Sequence, residues 1–266
     1  PRGVWPSEGS VSDAAAACIA QAGFDWMATD EDILARSLGR AADAPTRSRP
    51  YAVTTDHGEV RALFRDHALS DLIGFTYQSW DAAAAAGDFI GRVRAVVQAA
   101  RAGGVAAPVV SVILDGENAW EHYAGGGRPF LRALYAAMGS AADVEPATMS
   151  RAVDGPAPKL RSIFAGSWIN ADFGIWIGHA DDRRAWRQLG RARAAVGAAE
   201  AAGLDAARLK AAWTAIMAAE GSDWFWWYGD DHSSAHDREF DALFRRHLRR
   251  CYEALGQTEP DELRTS

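Results

Sequence analysis

The sequence predicts an α/β fold followed by a helical region, and three observations point to it. Short apolar stretches alternate with helical patterns up to about residue 115, as in parallel sheets with right-handed crossovers. Residues 109–114 give the clearest strand signal, because β-branched residues and a Leu occur there without a charge. From residue 181 onward the pattern is helical throughout. We therefore expect a parallel sheet first and a set of packed helices after it.

The predicted strands end at polar residues. Enrichment in β-branched and aromatic residues predicts strands at residues 24–29, 60–66 and 109–114, and a short extended piece at 162–169. A loop rich in Pro and Arg is expected over residues 44–51. Because ligands bind at the carboxyl ends of parallel strands, the residues that follow these strands are candidates for a functional site.

Hydroxyl and acidic residues mark the predicted helix starts. Ser10 or Ser12 is expected to cap the first helix. Asp30 and Glu31 start the second helix, and Ser70 caps a short one at residues 69–75. Longer helices are expected over residues 81–102, 128–139, 182–202, 205–220 and 234–255.

Composition and charge argue against several partners. The chain has 266 residues, a formal net charge of -7 and a pI near 5.5, which argue against nucleic acid and an anionic membrane. The sequence contains no bilayer-spanning apolar run and no basic, apolar leader at its start, so we expect a cytoplasmic protein. It has 11 Trp, more than a core of this size requires, and several lie beside acidic residues. This pattern favours a carbohydrate platform for some of them.

Two carboxylates are candidates for acid chemistry. Asp115 follows the strand signal at 109–114, with Glu117 and Trp120 close behind it. Glu8 lies in a predicted strand-to-helix loop, on the same side of the sheet. Two carboxylates from different strand ends suit a retaining glycosidase, in which they lie about 5 to 5.5 Å apart. The alternative is that Asp115 simply caps the following turn.

An aromatic and acidic loop at residues 221–232 is the second candidate region. Several of its residues could bind a substrate by hydrogen bonding or ring stacking: Asp223, Trp224, Trp227, Asp230 and His232. Asp230, Asp231 and His232 could instead ligate a metal, but no second dense cluster of His or Cys completes such a site. We expect no metal, and an ordinary helix entry stays open as an interpretation of the acidic pair.

Three motifs resemble those of glycoside hydrolase family 57. Trp5-Pro6-Ser7-Glu8 is similar to the nucleophile motif of that family, in which an aromatic residue lies three places before the catalytic Glu. Residues 114–120, LDGENAW, are similar to its acid/base motif. Residues 221–232, GSDWFWWYGDDH, resemble its final motif, which helps to form the wall of the pocket. The three motifs occur in the family's order, and the resemblance covers nearly the whole chain.

The resemblance implies roles for individual residues. Glu8 would be the nucleophile and Asp115 the general acid/base of a retaining glycoside hydrolase or transglycosylase acting on α-linked glucans, with no cofactor. The implied fold is a partial, distorted (β/α)7 barrel over residues 1–178, with a helical segment over 179–266 that packs on it and contributes a pocket loop. The residues expected to bind the polysaccharide or oligosaccharide are Trp5, Asp66, Glu117, Trp120, Trp168, Asp223, Trp224, Trp227, Asp230 and His232.

The sequence also departs from the family pattern. Two earlier family motifs, one with His and Pro near the first strand, are not found here, and residue 1 is Pro. We therefore expect a C-terminal fragment whose partner is the N-terminal remainder of its own barrel. Such a fragment would expose unpaired strand edges and have little or no activity in isolation.

Two other functions stay open from the sequence. A non-catalytic carbohydrate-binding protein on the same scaffold would keep the tryptophans and lose a catalytic carboxylate, whereas both Glu8 and Asp115 are present. A metal-dependent polysaccharide deacetylase would need an Asp-His-His triad, for which we find no credible His pair near the first strands.

Overall fold

The computed structural model describes residues 1–117 and 119–264, and its contacts divide the chain into two units, Pro1–Asp172 and Phe173–Ser266. Asn118, a member of the acid/base-like motif, lies outside the described residues. Among the helices of the described residues, none is long and apolar enough to cross a membrane.

A mixed sheet of five strands lies in the described part of the first unit. Its strands are β1 (Gly3–Val4), β2 (Trp26–Asp30), β3 (Tyr51–Thr55), β4 (Gly58–Arg65) and β5 (Lys159–Leu160). Their order across the sheet is β1-β2-β4-β3-β5. The parallel pairing of β2 with β4 confirms the predicted parallel arrangement of these two strands, and β1, whose range was not predicted, pairs parallel with β2. β2 and β4 end together, because Asp30 pairs with Arg65 at the last position of both.

Helices make up most of the remaining described chain. Those of the first unit are α1 (Asp13–Gln21), α2 (Glu31–Leu38), α3 (Ala44–Arg47), α4 (His67–Asp71), α5 (Ala82–Ala102), α6 (Arg128–Ser140) and α7 (Met149–Ala152). Those of the second unit are α8 (Gly174–Ile177), α9 (Ala180–Ala201), α10 (Ala206–Ala219), α11 (Asp223–Trp226) and α12 (Asp237–Leu255). Tighter 3-10 turns include Ser7–Gly9 and Trp120–His122, and a π-helical turn covers Leu72–Thr76.

Three predicted helix starts are confirmed by their capping hydrogen bonds. The Ser12 hydroxyl accepts from Ala15 N at 3.1 Å at the start of α1. The Asp30 carboxylate accepts from Asp32 N at 3.1 Å before α2, and Asp81 caps α5 in the same way. These short polar side chains satisfy amides that have no partner in the first helical turn.

The prediction that Ser70 caps a helix at 69–75 is wrong. The helix is α4, which starts at His67 and is capped by Asp66, whose Oδ1 accepts from Leu69 N at 3.0 Å. Ser70 lies inside this helix, where its hydroxyl donates to Asp66 O at 2.7 Å. Asp66 comes directly after β4, so it is the first residue able to serve as the cap.

The predicted loop at residues 44–51 is also partly wrong. Asp43 caps α3 there, with Pro45 in the first turn, where a missing N–H costs nothing. Tyr51 then begins β3, which pairs antiparallel with β4 from Tyr51↔Ala62 to Thr55↔Gly58. The tight connection between these two strands makes the sheet mixed rather than wholly parallel.

Residues 109–114 form an extended segment instead of the predicted buried strand. Among these described residues, the ladder with β4 is limited to one parallel bridge between Arg65 and Ser111, with Asp66 N donating to Ser111 O at 2.8 Å. Beyond Ser111, hydrogen bonds to side chains replace those of a strand ladder. Ile113 N donates to the Ser70 hydroxyl at 3.1 Å, and the Arg65 side chain donates to Ile113 O at 2.7 Å. β4 ends at Arg65, so the ladder with this segment does not extend further along β4.

The expected extended piece at 162–169 likewise forms no strand within the described residues; its ladder contact is one antiparallel bridge, between Val11 and Gly166. Side chains of α1 and α2 bind its amides, since Ile163 N donates to Asp13 Oδ1 and Phe164 N to Ser37 Oγ, both at 2.8 Å. A short strand, β5, lies just before it.

The three long helices predicted for the second unit are present. α9 and α10 lie within two residues of the predicted ranges. α12 begins at Asp237, three residues later than predicted, because Asp237 Oδ1 accepts from both the backbone N and the hydroxyl of Ser234, at 2.9 and 2.8 Å. Phe244 and Leu248 of α12 are fully buried.

Three apolar clusters lie in the described part of the first unit, of which the smallest has Ala28, Leu63 and Val153 at its centre. Another joins the sheet to α1 and α2 and includes Met27, Ile33 and Phe64. The third lies around α5 and α6 and includes Phe89 and Phe130. Burial of such side chains is worth about 1.5 to 3 kcal/mol each.

Candidate active site

Glu8 lies in a strained turn between β1 and α1. Its φ of 57° is left-handed, which is uncommon for a residue other than glycine. The turn is closed by Gly9 N donating to Pro6 O at 2.9 Å. Thr29, at the carboxyl end of β2, donates its hydroxyl proton to Gly9 O at 2.6 Å. These contacts place Glu8 at the end of the sheet where the strands terminate, as the sequence predicts.

Trp168 contacts Glu8 through both its backbone and its side chain. Its backbone N donates to Glu8 O at 3.0 Å, and its indole Nε1 donates to Glu8 Oε2 at 2.9 Å. Trp5 packs edge-on against Trp168, with ring centroids 5.2 Å apart. The structure therefore brings together three of the predicted site residues, one carboxylate and two indoles.

Asp115 follows the extended segment that runs parallel to the end of β4. It is half-buried, whereas Glu117 is exposed. Arg65, the last residue of β4, joins this segment to the neighbourhood of Glu8. Its Nε donates to Ile113 O, and its guanidinium carbon lies 5.3 Å from the centre of the Trp168 ring. Both predicted catalytic carboxylates thus belong to chain segments that contact the same arginine or its neighbouring indole.

The Arg65 guanidinium is the centre of a buried network. Its side chain is 6% exposed and pairs with Asp30, which is fully buried, at 3.1 Å. It also forms an ion pair with Asp71, which in turn contacts His67 Nε2 at 3.0 Å. The sequence predicts Arg65 and Asp66 at the end of a strand, where an Arg-Asp pair is expected to be a structural ion pair that positions its neighbours. The structure instead pairs Arg65 with Asp30 and Asp71, and Asp66 with Arg47.

One cluster of this network has the composition of a metal site. Ligand atoms of Asp30, Asp32 and His67 lie within 4.8 Å of one another in the described part of the chain. Asp30 is already paired with Arg65, and His67 Nδ1 lies 3.4 Å from Asp30 Oδ1. The positive guanidinium accounts for the buried carboxylate without a cation, so we assign no metal here.

Asp66 has a structural environment. Its side chain is 3% exposed, Oδ1 caps α4, and Oδ2 accepts from Arg47 Nε at 2.8 Å. Arg47 also pairs with Glu31 at 2.9 Å. Burial, and secondarily the charge of Asp66, raise the pKa of Glu31 to about 7, although Arg47 opposes this shift. One guanidinium is thus shared by two carboxylates.

Trp120, the last residue of the acid/base-like motif, starts a 3-10 turn that ends at His122. Its ring is half-buried and lies 5.4 Å from the Tyr123 ring, centroid to centroid. A Cβ on Gly127 would lie 2.4 Å from Trp120 Cε3, so the indole packs directly on this glycine. The φ of Gly127 is 76°, a second reason for glycine at this position. The structure therefore fixes this predicted site residue within the first unit.

The five predicted site residues of the loop at 221–232 belong to the second unit. Asp223 is exposed at the start of α11, and Asp230 is also exposed. Trp224 donates its indole N–H to Ala218 O at 2.9 Å, and Trp227 stacks on Phe240 with ring centroids 5.7 Å apart. His232 stacks on Trp226 at 3.7 Å. Trp226 was not among the predicted residues, although it belongs to the same aromatic run.

Solved structures with the same fold are glucan-acting enzymes. An α-amylase, AmyC from Thermotoga maritima, aligns with a TM-score of 0.71 at 16% identity, over 99% of this chain and 62% of that chain. A branching enzyme from Pyrococcus horikoshii aligns at 0.66 and 16% identity, over 91% of this chain and 53% of that chain. A 4-alpha-glucanotransferase from Thermococcus litoralis aligns at 0.65 and 14% identity, over 98% and 43%. The chain thus spans about two fifths to three fifths of the length of these proteins.

Sequence comparison gives the family directly. No curated protein matches the sequence. Residues 1–162, well over half of the chain, match the family described as Glycosyl hydrolase family 57. The first two of the three motifs lie within the matched residues, the resemblance to this family is confirmed, and the chain belongs to glycosyl hydrolase family 57.

Proposed function

We propose that the protein carrying this chain is a glycosidase that cleaves or rearranges α-linked glucans by a retaining mechanism. Family membership and the activities of the structural neighbours, amylase, branching enzyme and glucanotransferase, support this class of reaction. The observation that carries the assignment is that the Glu8 carboxylate accepts a hydrogen bond from the Trp168 indole N–H. The Trp168 ring lies beside the Arg65 guanidinium, which also binds the segment before Asp115.

In this mechanism Glu8 is the nucleophile and Asp115 the general acid/base. A Glu8 oxygen bonds to the anomeric carbon while the bond to the departing glycosyl oxygen breaks, and the proton of Asp115 goes to that oxygen. Asp115 then takes a proton from water or from a sugar hydroxyl, whose oxygen displaces Glu8 from the anomeric carbon. Water gives hydrolysis and a sugar acceptor gives transglycosylation.

Aromatic rings and acidic side chains complete the proposed site. Trp5, Trp168 and Trp120 offer apolar faces for sugar rings, and Glu117 is exposed and able to bind a sugar hydroxyl. For the second unit by itself we propose that a carbohydrate contacts Asp223, Trp224, Trp227, Asp230 and His232. We leave Asp66 out, because the protein itself engages both of its carboxylate oxygens.

Removal of either proposed catalytic carboxylate tests this function. In the whole protein that carries this chain, Glu8→Gln and Asp115→Asn are each expected to lower the rate on a maltooligosaccharide by about 10²-fold or more. Steady-state release of reducing ends and chromatography of transfer products measure the two outcomes. Glu121→Gln is the matched control, because Glu121 is 61% exposed on the turn beyond the acid/base-like motif. Unchanged rates in the Glu8 and Asp115 variants would reject the assignment.

A further inference from the structure

Arg65 touches the surroundings of both proposed catalytic groups, although it is neither a nucleophile nor an acid. We propose that Arg65 is a positioning residue that sets the place of the acid/base Asp115 relative to the nucleophile Glu8. This inference rests on the proposed function and adds to it a residue that the catalytic chemistry does not itself require.

Arg65 contacts both the segment before Asp115 and the Trp168 ring beside Glu8. Toward Asp115, its Nε donates to Ile113 O at 2.7 Å, two residues before the acid. Toward Glu8, its guanidinium carbon lies 5.3 Å from the centre of the Trp168 ring, and the indole of Trp168 donates to Glu8 Oε2. One planar group therefore connects the two segments through a hydrogen bond on one side and a cation–π contact on the other.

The guanidinium is itself held rigidly. Asp30 and Asp71 pair with its terminal nitrogens, and its side chain is 6% exposed. Its Nε is then left to donate to the carbonyl of Ile113, so the hydrogen bond has a fixed direction. A lysine has no second donor along its side chain and cannot reproduce this geometry.

The segment before Asp115 depends on this anchor because it has little ladder pairing. Among the described residues 109–114, the bridge to β4 is at Ser111, and beyond it Ile113 is held by the Arg65 side chain and the Ser70 hydroxyl. Loss of the Arg65 bond frees the carbonyl of Ile113, two residues before the acid. A small displacement of Asp115 then weakens protonation of the leaving oxygen more than it weakens substrate binding.

A substrate that needs no protonation separates positioning from general destabilisation. In an α-maltosyl fluoride the C–F bond breaks and fluoride leaves without a proton, whereas a maltooligosaccharide leaves through an oxygen that must be protonated. Arg65→Lys is expected to lower kcat/KM on the oligosaccharide at least about tenfold more than kcat/KM on the fluoride, because kcat/KM reports the first step and the second step, in which Asp115 acts as a base, is common to both substrates. Asp115→Asn should show the same selectivity to a greater degree.

Arg47→Lys is the matched control. Arg47 is also a largely buried arginine of the first unit shared by two carboxylates, Glu31 and Asp66. Its loss is expected to lower stability and to reduce the rates on both substrates by the same factor. Ser70→Ala, which removes the other hydrogen bond to residue 113, is the second variant and should show the selective loss to a smaller degree.

The outcomes are distinct. An equal loss on both substrates in Arg65→Lys overturns the positioning role while the wild-type rates still support the proposed function. If Arg65→Lys does not fold, the ratio of rates in Ser70→Ala decides, and an unchanged ratio overturns the proposal. A wild-type protein that turns over neither substrate contradicts the proposed function itself.

Discussion

At the scale of single residues, the indole of Trp168 is a direct hydrogen-bond donor to the proposed nucleophile. We expect Trp168→Phe to keep an aromatic ring beside Trp5 while losing the N–H that binds Glu8 Oε2. A hydrogen bond to a charged group is worth about 1.5 to 3 kcal/mol, so kcat on a maltooligosaccharide should fall roughly tenfold to a hundredfold. The free energy of unfolding should fall by at most about the same 1.5 to 3 kcal/mol, because the ring that remains keeps its packing beside Trp5.

Trp26→Phe is the control for this change. The Trp26 indole also donates a hydrogen bond within the first unit, to Ser150 Oγ at 3.0 Å, but it has no role in the proposed site. A similar loss of kcat in the two variants would show that the Trp168 bond to Glu8 is not specifically important.

The sequence predicts Trp168 as a site residue but not its bond to Glu8. The two residues are 160 positions apart, and their contact depends on how the segment after β5 crosses α1. Local patterns are informative about neighbours along the chain, whereas this contact is a property of the assembled fold. Arg65 illustrates the same limit, because its partners Ile113 and Trp168 follow it by 48 and 103 positions.

At the scale of elements, caps were predictable where a short polar residue precedes a long helix. Ser12, Asp30 and Asp81 each cap the helix expected to follow them. Segments whose amides bind side chains were not predictable. Residues 109–114 have the composition of a buried strand, but the strand beside them ends at Arg65, so composition alone predicts the wrong element.

The turn that presents Glu8 requires glycine after it. Gly9 has a φ of 58°, and a Cβ there would lie 2.8 Å from Trp5 Cη2 and 3.3 Å from Trp168 Cβ. We expect Gly9→Ala to lower the free energy of unfolding by about 2 kcal/mol or more, from backbone strain and overpacking together. Trp5 must move to make room, so near-UV circular dichroism and activity should change as well.

Gly39→Ala separates the two contributions. Gly39 has a similar φ of 65°, at the end of α2, but a Cβ there would meet nothing within 4 Å. Its replacement should cost about 1 kcal/mol from strain alone and leave the near-UV spectrum unchanged. If Gly9→Ala and Gly39→Ala lower the free energy of unfolding equally, the contact between the new Cβ and Trp5 does not contribute to the loss.

At the scale of the whole molecule, the stability of the chain should depend on pH through Glu31. Glu31 of α2 meets Arg47 of α3 and Asp66, the cap of α4, so the cluster joins three helices of the first unit. Burial raises the pKa of Glu31 from its ordinary 4.5 to about 7 in the folded protein. The folded state therefore holds a proton that the unfolded chain has lost, and the free energy of unfolding falls as pH rises from about 4.5 to 7.

Glu31→Gln should remove this dependence. At 1.36 kcal/mol for each pH unit, the wild type loses about 3 kcal/mol through this group between pH 4.5 and values above 7. Relative to the wild type, the Glu31→Gln variant should therefore gain about 3 kcal/mol in free energy of unfolding as the pH rises from 4.5 to above 7. Urea unfolding at a series of pH values measures this change.

Glu59→Gln provides the comparison for Glu31→Gln. The Glu59 side chain is 40% exposed on β4 and pairs with Arg61 at the surface, so water screens this ion pair. Its replacement should leave the curve of unfolding free energy against pH parallel to that of the wild type. A Glu31→Gln curve that is also parallel would show that the shared guanidinium of Arg47 stabilises both carboxylates as anions. In that case, the cost of burying Glu31 does not limit the stability of the fold at neutral pH.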